Sequence, residues 1–125
     1  MSERPLSEDK DSRELATEIA GVLVEGKAKD VTVLDVKGIT LISDYFVIAS
    51  GRSSTQVKAL ARRVLENIDT SRKVHVEGED LGVWVLLDYG DVIVHVFRDT
   101  ERAFYGLERL WGDAEKIEVR QPETN

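Results

Sequence analysis

The stretch VWVLLDYGDVIVHVF, Val83 to Phe97, decides the fold. Two runs of alternating apolar and β-branched residues flank Asp88-Tyr89-Gly90-Asp91. Gly90 supplies the positive φ that a tight hairpin turn requires, so the stretch predicts a β-hairpin. Side chains alternate across a strand, and a two-residue loop fixes which of them share a face. Val83, Val85, Leu87, Val92, Val94 and Val96 fall on one face and read as core. Trp84, Leu86, Asp88, Asp91, Ile93, His95 and Phe97 fall on the other. That second face has two readings. Either the last helix covers it and the acids cap the turn, or it is an interface with a tryptophan anchor rimmed by charge.

Working outward, YFVIASG (Tyr45 to Gly51) is a near-continuous apolar run, the pattern of a strand buried on both faces. Ser53 and Gln56 stand at capping-box spacing ahead of Val57, Leu60, Ala61, Val64, Leu65 and Ile68, which predicts an amphipathic helix. A first helix is expected from Asp11 or Ser12 to about Ala28, a strand over Val31 to Lys37, and a partly extended connection over Gly38 to Asp44. A short strand over Lys73 to Glu77 precedes a break at Gly78 to Gly82. The last helix is expected to be capped at Asp99 or Thr100 and stopped by Gly112, with Phe104, Leu107, Leu110 and Trp111 as its core stripe. Arg102 and Tyr105 fall off that stripe, either solvated or joined to the hairpin's second face. The order α-β-β-α-β-β-β-α predicts a single α/β domain, a mixed sheet of about five strands with flanking helices. Residues 1–11 read as a flexible tail, 12–114 as the domain and 115–125 as a C-terminal tail. Within the latter, Ile117 and Val119 suit a short edge strand.

The 125 residues carry 24 acidic and 17 basic side chains, a net charge of −7, and no cysteine. One core of ordinary size needs no disulfide or metal staple. Zero cysteines excludes thiol nucleophiles, Cys-ligated zinc and iron–sulfur clusters. The N-terminal MSERPLSEDKDSRE lacks the apolar core of a signal peptide, so a cytoplasmic setting without membrane insertion is expected. The charge is unevenly placed: Glu77 to Asp91 holds five acids and no base, whereas Arg52 to Lys73 holds six bases against two acids. An acidic edge of this kind steers towards a basic protein and disfavours loose, phosphate-driven binding of nucleic acid; no direct sequence-specific contact with nucleic acid is expected either.

Catalytic chemistry finds little support. Gly51-Arg52-Ser53 between a strand and a helix suits a phosphate-cradling turn, as in nucleotidyl transfer. Such chemistry also needs closely spaced carboxylates for Mg²⁺, and the nearest pair, Asp88 and Asp91, flanks a turn instead of alternating on one strand. His75 and His95 are the only histidines, too few for a metal site and without a nucleophile elbow. No catalytic residue, metal or cofactor is therefore assigned.

The combined pattern resembles the ribosomal silencing factor family (RsfS/Iojap). The residues that carry it are Asp44-Tyr45-Phe46-Val47-Ile48 with Ser50-Gly51, Ser53 through Gln56-Val57, and Glu77-Gly78. Trp84 ahead of Asp88-Tyr89-Gly90-Asp91, Val94-His95-Val96-Phe97, Arg102, Tyr105, Leu107-Glu108 and Leu110-Trp111 complete it. The resemblance implies a fold similar to nucleotidyltransferases without their catalytic acids, and a non-enzymatic translation repressor. It implies a homodimer when free, and docking on the large ribosomal subunit through the basic ribosomal protein L-fourteen, which blocks joining of the small subunit. Carried over residue by residue, it places the docking surface at Trp84, Leu86, Asp88, Tyr89, Gly90, Asp91 and His95, with Arg102 and Tyr105 nearby. A nucleotidyltransferase-like enzyme or a general dimeric adaptor are the alternatives.

Overall fold

A computed structural model describes residues 11–119 of the chain. The predicted N-terminal tail and the last six residues lie outside that range, apart from Asp11. Four helices, α1 (Ser12–Glu25), α2 (Ser54–Asn67), α3 (Asp99–Tyr105) and α4 (Leu107–Leu110), flank six strands. The strands are β1 (Lys29–Asp35), β2 (Tyr45–Gly51), β3 (His75–Glu77), β4 (Trp84–Asp88), β5 (Val92–Arg98) and β6 (Glu115–Ile117). They form one mixed sheet in the order β3-β4-β5-β2-β1-β6, with β2 and β5 parallel and every other neighbouring pair antiparallel.

The local signals explain the elements. Asp11 caps α1, its side chain accepting from the Glu14 amide. The helix stops at Glu25, earlier than Ala28, because the amides of Gly26 and Ala28 turn back onto Val22 and Leu23. Ser53 caps α2 through the Gln56 amide, and the Gln56 side chain accepts from the Arg52 amide, closing the capping box one residue further back than its usual partner. All seven residues of β2 are buried, as an apolar run between two strands must be. β1 begins two residues before Val31 and ends at Asp35, because Val36 leaves the ladder to take the amides of Ile39 and Thr40 onto its carbonyl.

The hairpin turns at Gly90–Asp91, with the Tyr89 amide donating to the Val92 carbonyl and Gly90 at φ +93°. Asp88 therefore faces Ile93 and Trp84 faces Phe97. The centre has moved one residue from the Tyr89-Gly90 position, which slides the register by two and keeps the alternation of the paired strands, while Asp91 passes into the turn and Val83, expected as core, stays half-buried ahead of β4. α1 and α2 bury Val33, Val47, Val85, Leu87, Val94 and Val96 on one side of the sheet. The second face gathers Leu34, Phe46, Ile48, Ile93 and Phe97.

One element departs from expectation. The last helix is broken at Gly106, which adopts the left-handed conformation at φ +56° and ends α3 while starting α4. Arg98, not Asp99 or Thr100, occupies the N-cap position, with no side-chain cap. The apolar stripe loses its phase across the break. Phe104 is 78% exposed, not core, whereas Leu107 and Trp111 still pack on the second face. The possible edge strand near Ile117 is realised as β6, which pairs with β1 and carries the sheet past residue 114.

Gly106→Ala should cost about 1–2 kcal/mol in urea unfolding, because an added Cβ meets both a left-handed φ and the Arg109 guanidinium. An unchanged unfolding midpoint would mean that the break is not required.

Candidate functional site

The C-terminal segment covers only half of the second face. Trp111 meets Phe46 edge-on at 5.3 Å, and with Leu107 it closes the face over β2. The outer strands β3 and β4 keep theirs open. Val76 packs into the helix-side core, so His75 and Glu77 alternate onto the same face as Trp84, Leu86 and Asp88. The result is an apolar strip of Trp84 and Leu86, both half-buried, bordered by exposed His75 and Glu77 and by Asp88. The last helical segment covers the inner strands, and the hairpin's outer strand remains accessible.

Trp84 sits in an aromatic stack. Its ring lies 4.7 Å from Phe97 and 4.9 Å from Tyr105, which is 48% exposed. Its Nε1–H donates to His95 Nδ1 at 3.1 Å. That bond fixes the neutral tautomer with the proton on Nε2, which is buried without a protein acceptor among the described residues. Burial pulls the His95 pKa down to about 4. His95 is thus an orienting group beneath Trp84 and not an exposed contact.

Tyr89 is also displaced from the expected surface. Its ring belongs to the helix-side core, and burial pushes its phenol up to about 12. Gly90 and Asp91 stay exposed at the turn. Asp88 accepts from the Gly90 amide, while Asp91 pairs with Arg72 at 3.3 Å. Both acids therefore stabilise the turn and still present charge to solvent. Asp88 lies four residues from Trp84, about 13 Å along the strand, so a partner must span the whole strand to use both.

Arg102 is drawn inward, its side chain 11% exposed. It donates to Ser50 Oγ at 2.8 Å and Thr32 Oγ1 at 3.3 Å and pairs with Glu108, whose carboxyl it holds below the usual range. It acts by fastening α3 and α4 to the sheet. Tyr105, one helix residue from the break, joins the hairpin through Trp84.

The phosphate-cradle possibility meets a filled site: the amides of Arg52 and Gln56 are taken by the chain's own Gln56 and Ser53 side chains. Among the described residues, no three His, Asp or Glu side chains are grouped to hold a metal. The charge asymmetry is partly internal as well. Glu79 and Asp80 line a cleft of about 290 Å³ with Lys58 and Arg62 of α2. The connection over Gly38 to Asp44, expected to be partly extended, is folded into turns and bends. It holds Ile39, Leu41 and Ile42 exposed, and three aliphatics in a loop were the available signal.

The architecture is that of a single-domain α/β protein with a mixed six-stranded sheet. The chain matches, over residues 9–125, the family described as ribosomal silencing factor during starvation, and it belongs to that family. It is 48% identical over 90 residues to a ribosomal silencing factor of Bacillus subtilis, covering 70% of this chain and 76% of that one. It is 41% identical over 111 residues to one from Halalkalibacterium halodurans, covering 86% and 94%. Its fold is similar to the crystal structure of a Chromobacterium violaceum protein, with a TM-score of 0.74, 32% identity and coverage of 91% and 92%. Family membership supports a translation-regulating role in ribosome silencing. No helix among the described residues is long and apolar enough to cross a membrane.

The buried neutral His95 gives a pH signature. Its folded pKa near 4 lies below the ordinary 6.5, so the unfolded chain binds more protons between those values. Stability should fall as pH drops through that window, by up to about 1.4 kcal/mol per unit. Urea unfolding at pH 7 and pH 5 should show a larger loss for the wild type than for His95→Gln. Equal losses would place the His95 ring in water.

Proposed function

We propose that the chain represses translation by docking on the large ribosomal subunit through ribosomal protein L-fourteen, where its bulk blocks joining of the small subunit. The observation that carries this reading is the open strip on β3 and β4: Trp84 and Leu86 between the acids Glu77 and Asp88. A basic protein gains orientation and on-rate from that rim, and desolvation of Trp84 with its aliphatic neighbour contributes affinity. The Gly90–Asp91 turn extends the rim and lets a partner's backbone approach closely. No step of covalent chemistry enters the mechanism; it is occupation of space. Tyr89, His95 and Arg102 support the surface from within. A homodimer in the free state is compatible with an apolar strip that water would otherwise wet.

The test is sedimentation with separated subunits. The chain should migrate with large subunits and reduce their joining to small ones; no co-migration would refute the docking. Trp84→Ala should cost roughly 2 kcal/mol or more of affinity while the protein still unfolds cooperatively. Asp88→Lys with Asp91→Lys should weaken binding most at low salt, because the lost attraction is the screened one. Binding unchanged by the charge reversal at low salt would remove the acids from the interface.

A further inference from the structure

The chain leaves its two parallel strands in opposite directions. β2 runs into α2 on the helix-packed side of the sheet, while β5 runs into α3 and α4 and on to Trp111 on the second face. Where neighbouring parallel strands part in this way, a crevice opens beyond their carboxyl ends, and open α/β sheets take small ligands there. In this protein the crevice is a cleft of about 390 Å³, the size of a small-molecule site. Lys29 and Asp30 of β1, Ser50 of β2, Arg102 and Ala103 of α3 and Arg109 of α4 are in its lining.

Some of the charges there are already paired. Lys29 Nζ meets Asp99 at 3.2 Å, and Arg102 holds Glu108 while donating to Ser50 Oγ at 2.8 Å. Two are not: the exposed Asp30 carboxylate and the exposed Arg109 guanidinium have no ionic or hydrogen-bonding partner among the described residues. Asp30 is set in place by its backbone. The register of β1 on β2 shifts between Lys29 and Thr32, a bulge of the kind that re-aims a side chain, and Asp30 sits in the left-handed region at φ +51°. Ser50 is only 2% exposed. Its oxygen accepts from Arg102, and its hydroxyl proton has no acceptor among the described residues. A buried donor, a free guanidinium and a free carboxylate therefore line one cavity.

The balance of charge sets the ligand's chemistry. The lining carries three cations, Lys29, Arg102 and Arg109, against three anions, Asp30, Asp99 and Glu108. The phosphates of a nucleotide would meet all three carboxylates, and a polyamine would meet all three cations. A divalent metal is not favoured either, since no three His, Asp or Glu side chains among the described residues are grouped to hold one. The matching ligand carries one charge of each sign. We infer that the cleft binds a small zwitterion of the α-amino-acid class, its carboxylate on Arg109 and the Ser50 hydroxyl and its ammonium on Asp30. Arg109 offers a planar fork to a carboxylate, and an ammonium offers three donors to Asp30. The cleft lies at the end of the sheet remote from the Gly90–Asp91 turn, and the inference does not rest on the docking proposed above.

The experiment is calorimetric titration of the full, ribosome-free chain with each of the standard L-amino acids in turn. At least one should bind, and its N-acetyl and amide derivatives, each lacking one of the two charges, should bind about tenfold more weakly or worse. Asp30→Asn and Arg109→Gln stand at exposed positions, so each should lower affinity about tenfold while the melting temperature holds. Ala103→Leu fills the cleft from α3 without removing a charge; it should abolish binding, and it serves if either charge variant fails to fold. No binding by any amino acid overturns the inference, as does wild-type affinity in all the folded variants. Tighter binding of inorganic phosphate than of any amino acid also overturns it and makes the cleft an anion site. Because the ribosome is absent from the titration, its result is independent of whether the chain docks there.

Discussion

The parallel pairing of β2 with β5 is the constraint on which the rest of the molecule depends. Both strands lie at the centre of the sheet and are almost wholly buried. Parallel neighbours share their beginnings and their ends, which sorts the connections of the chain into two groups. The beginnings bring together the exposed aliphatic loop and the acidic hairpin turn, locked by three donors on one carbonyl of Asp91. The ends bring Ser50 within reach of Arg102. Had β5 run antiparallel to β2, the loop and the turn would sit at opposite poles of the domain.

At the far pole Arg102 sets how much of the second face is covered. One guanidinium joins β1, β2 and α4 through Thr32, Ser50 and Glu108. Four-residue α4 and three-residue β6 have little packing of their own to keep them in place. Fastened by this group, Trp111 closes over Phe46, and Tyr105 reaches Trp84. The partition into a closed inner face and an open outer one follows from that single buried cation. A lysine is no equivalent, since its donors radiate from one nitrogen, whereas Arg102 spreads Nε, Nη1 and Nη2 over acceptors on separate elements.

Most of the framework was legible from pattern. β2 and the cap of α2 were readable to the residue, because a doubly buried strand and a capping box are local signals that tertiary contacts reinforce. Within β4 and β5 the two faces were also legible despite the displaced turn, since a register slide of two preserves the alternation; Val83 and Asp91, just outside the paired residues, were not. What failed was phase and depth. Helical periodicity cannot register a left-handed residue, so Phe104 was expected inside when Gly106 turns it outward. Depth along a strand was equally invisible: Tyr89 and His95 belong to the family's pattern, yet the sheet places both rings in the interior. Arg102 shows the same limit, a charged residue whose partners lie 52 and 70 positions away in the chain.

The margins of the sheet carry a separate consequence. Both outermost strands, β3 and β6, are only three residues long, and each bears charged side chains, Glu77 on one and Glu115 with Lys116 on the other. Such brief borders offer a foreign backbone almost no ladder to extend, so recruitment of further chains edge to edge is discouraged. A protein that leaves aromatic surface open to water thereby keeps its own copies from zippering into fibrils. Whatever binds must settle flat onto the pleats and cannot stitch itself to the hem.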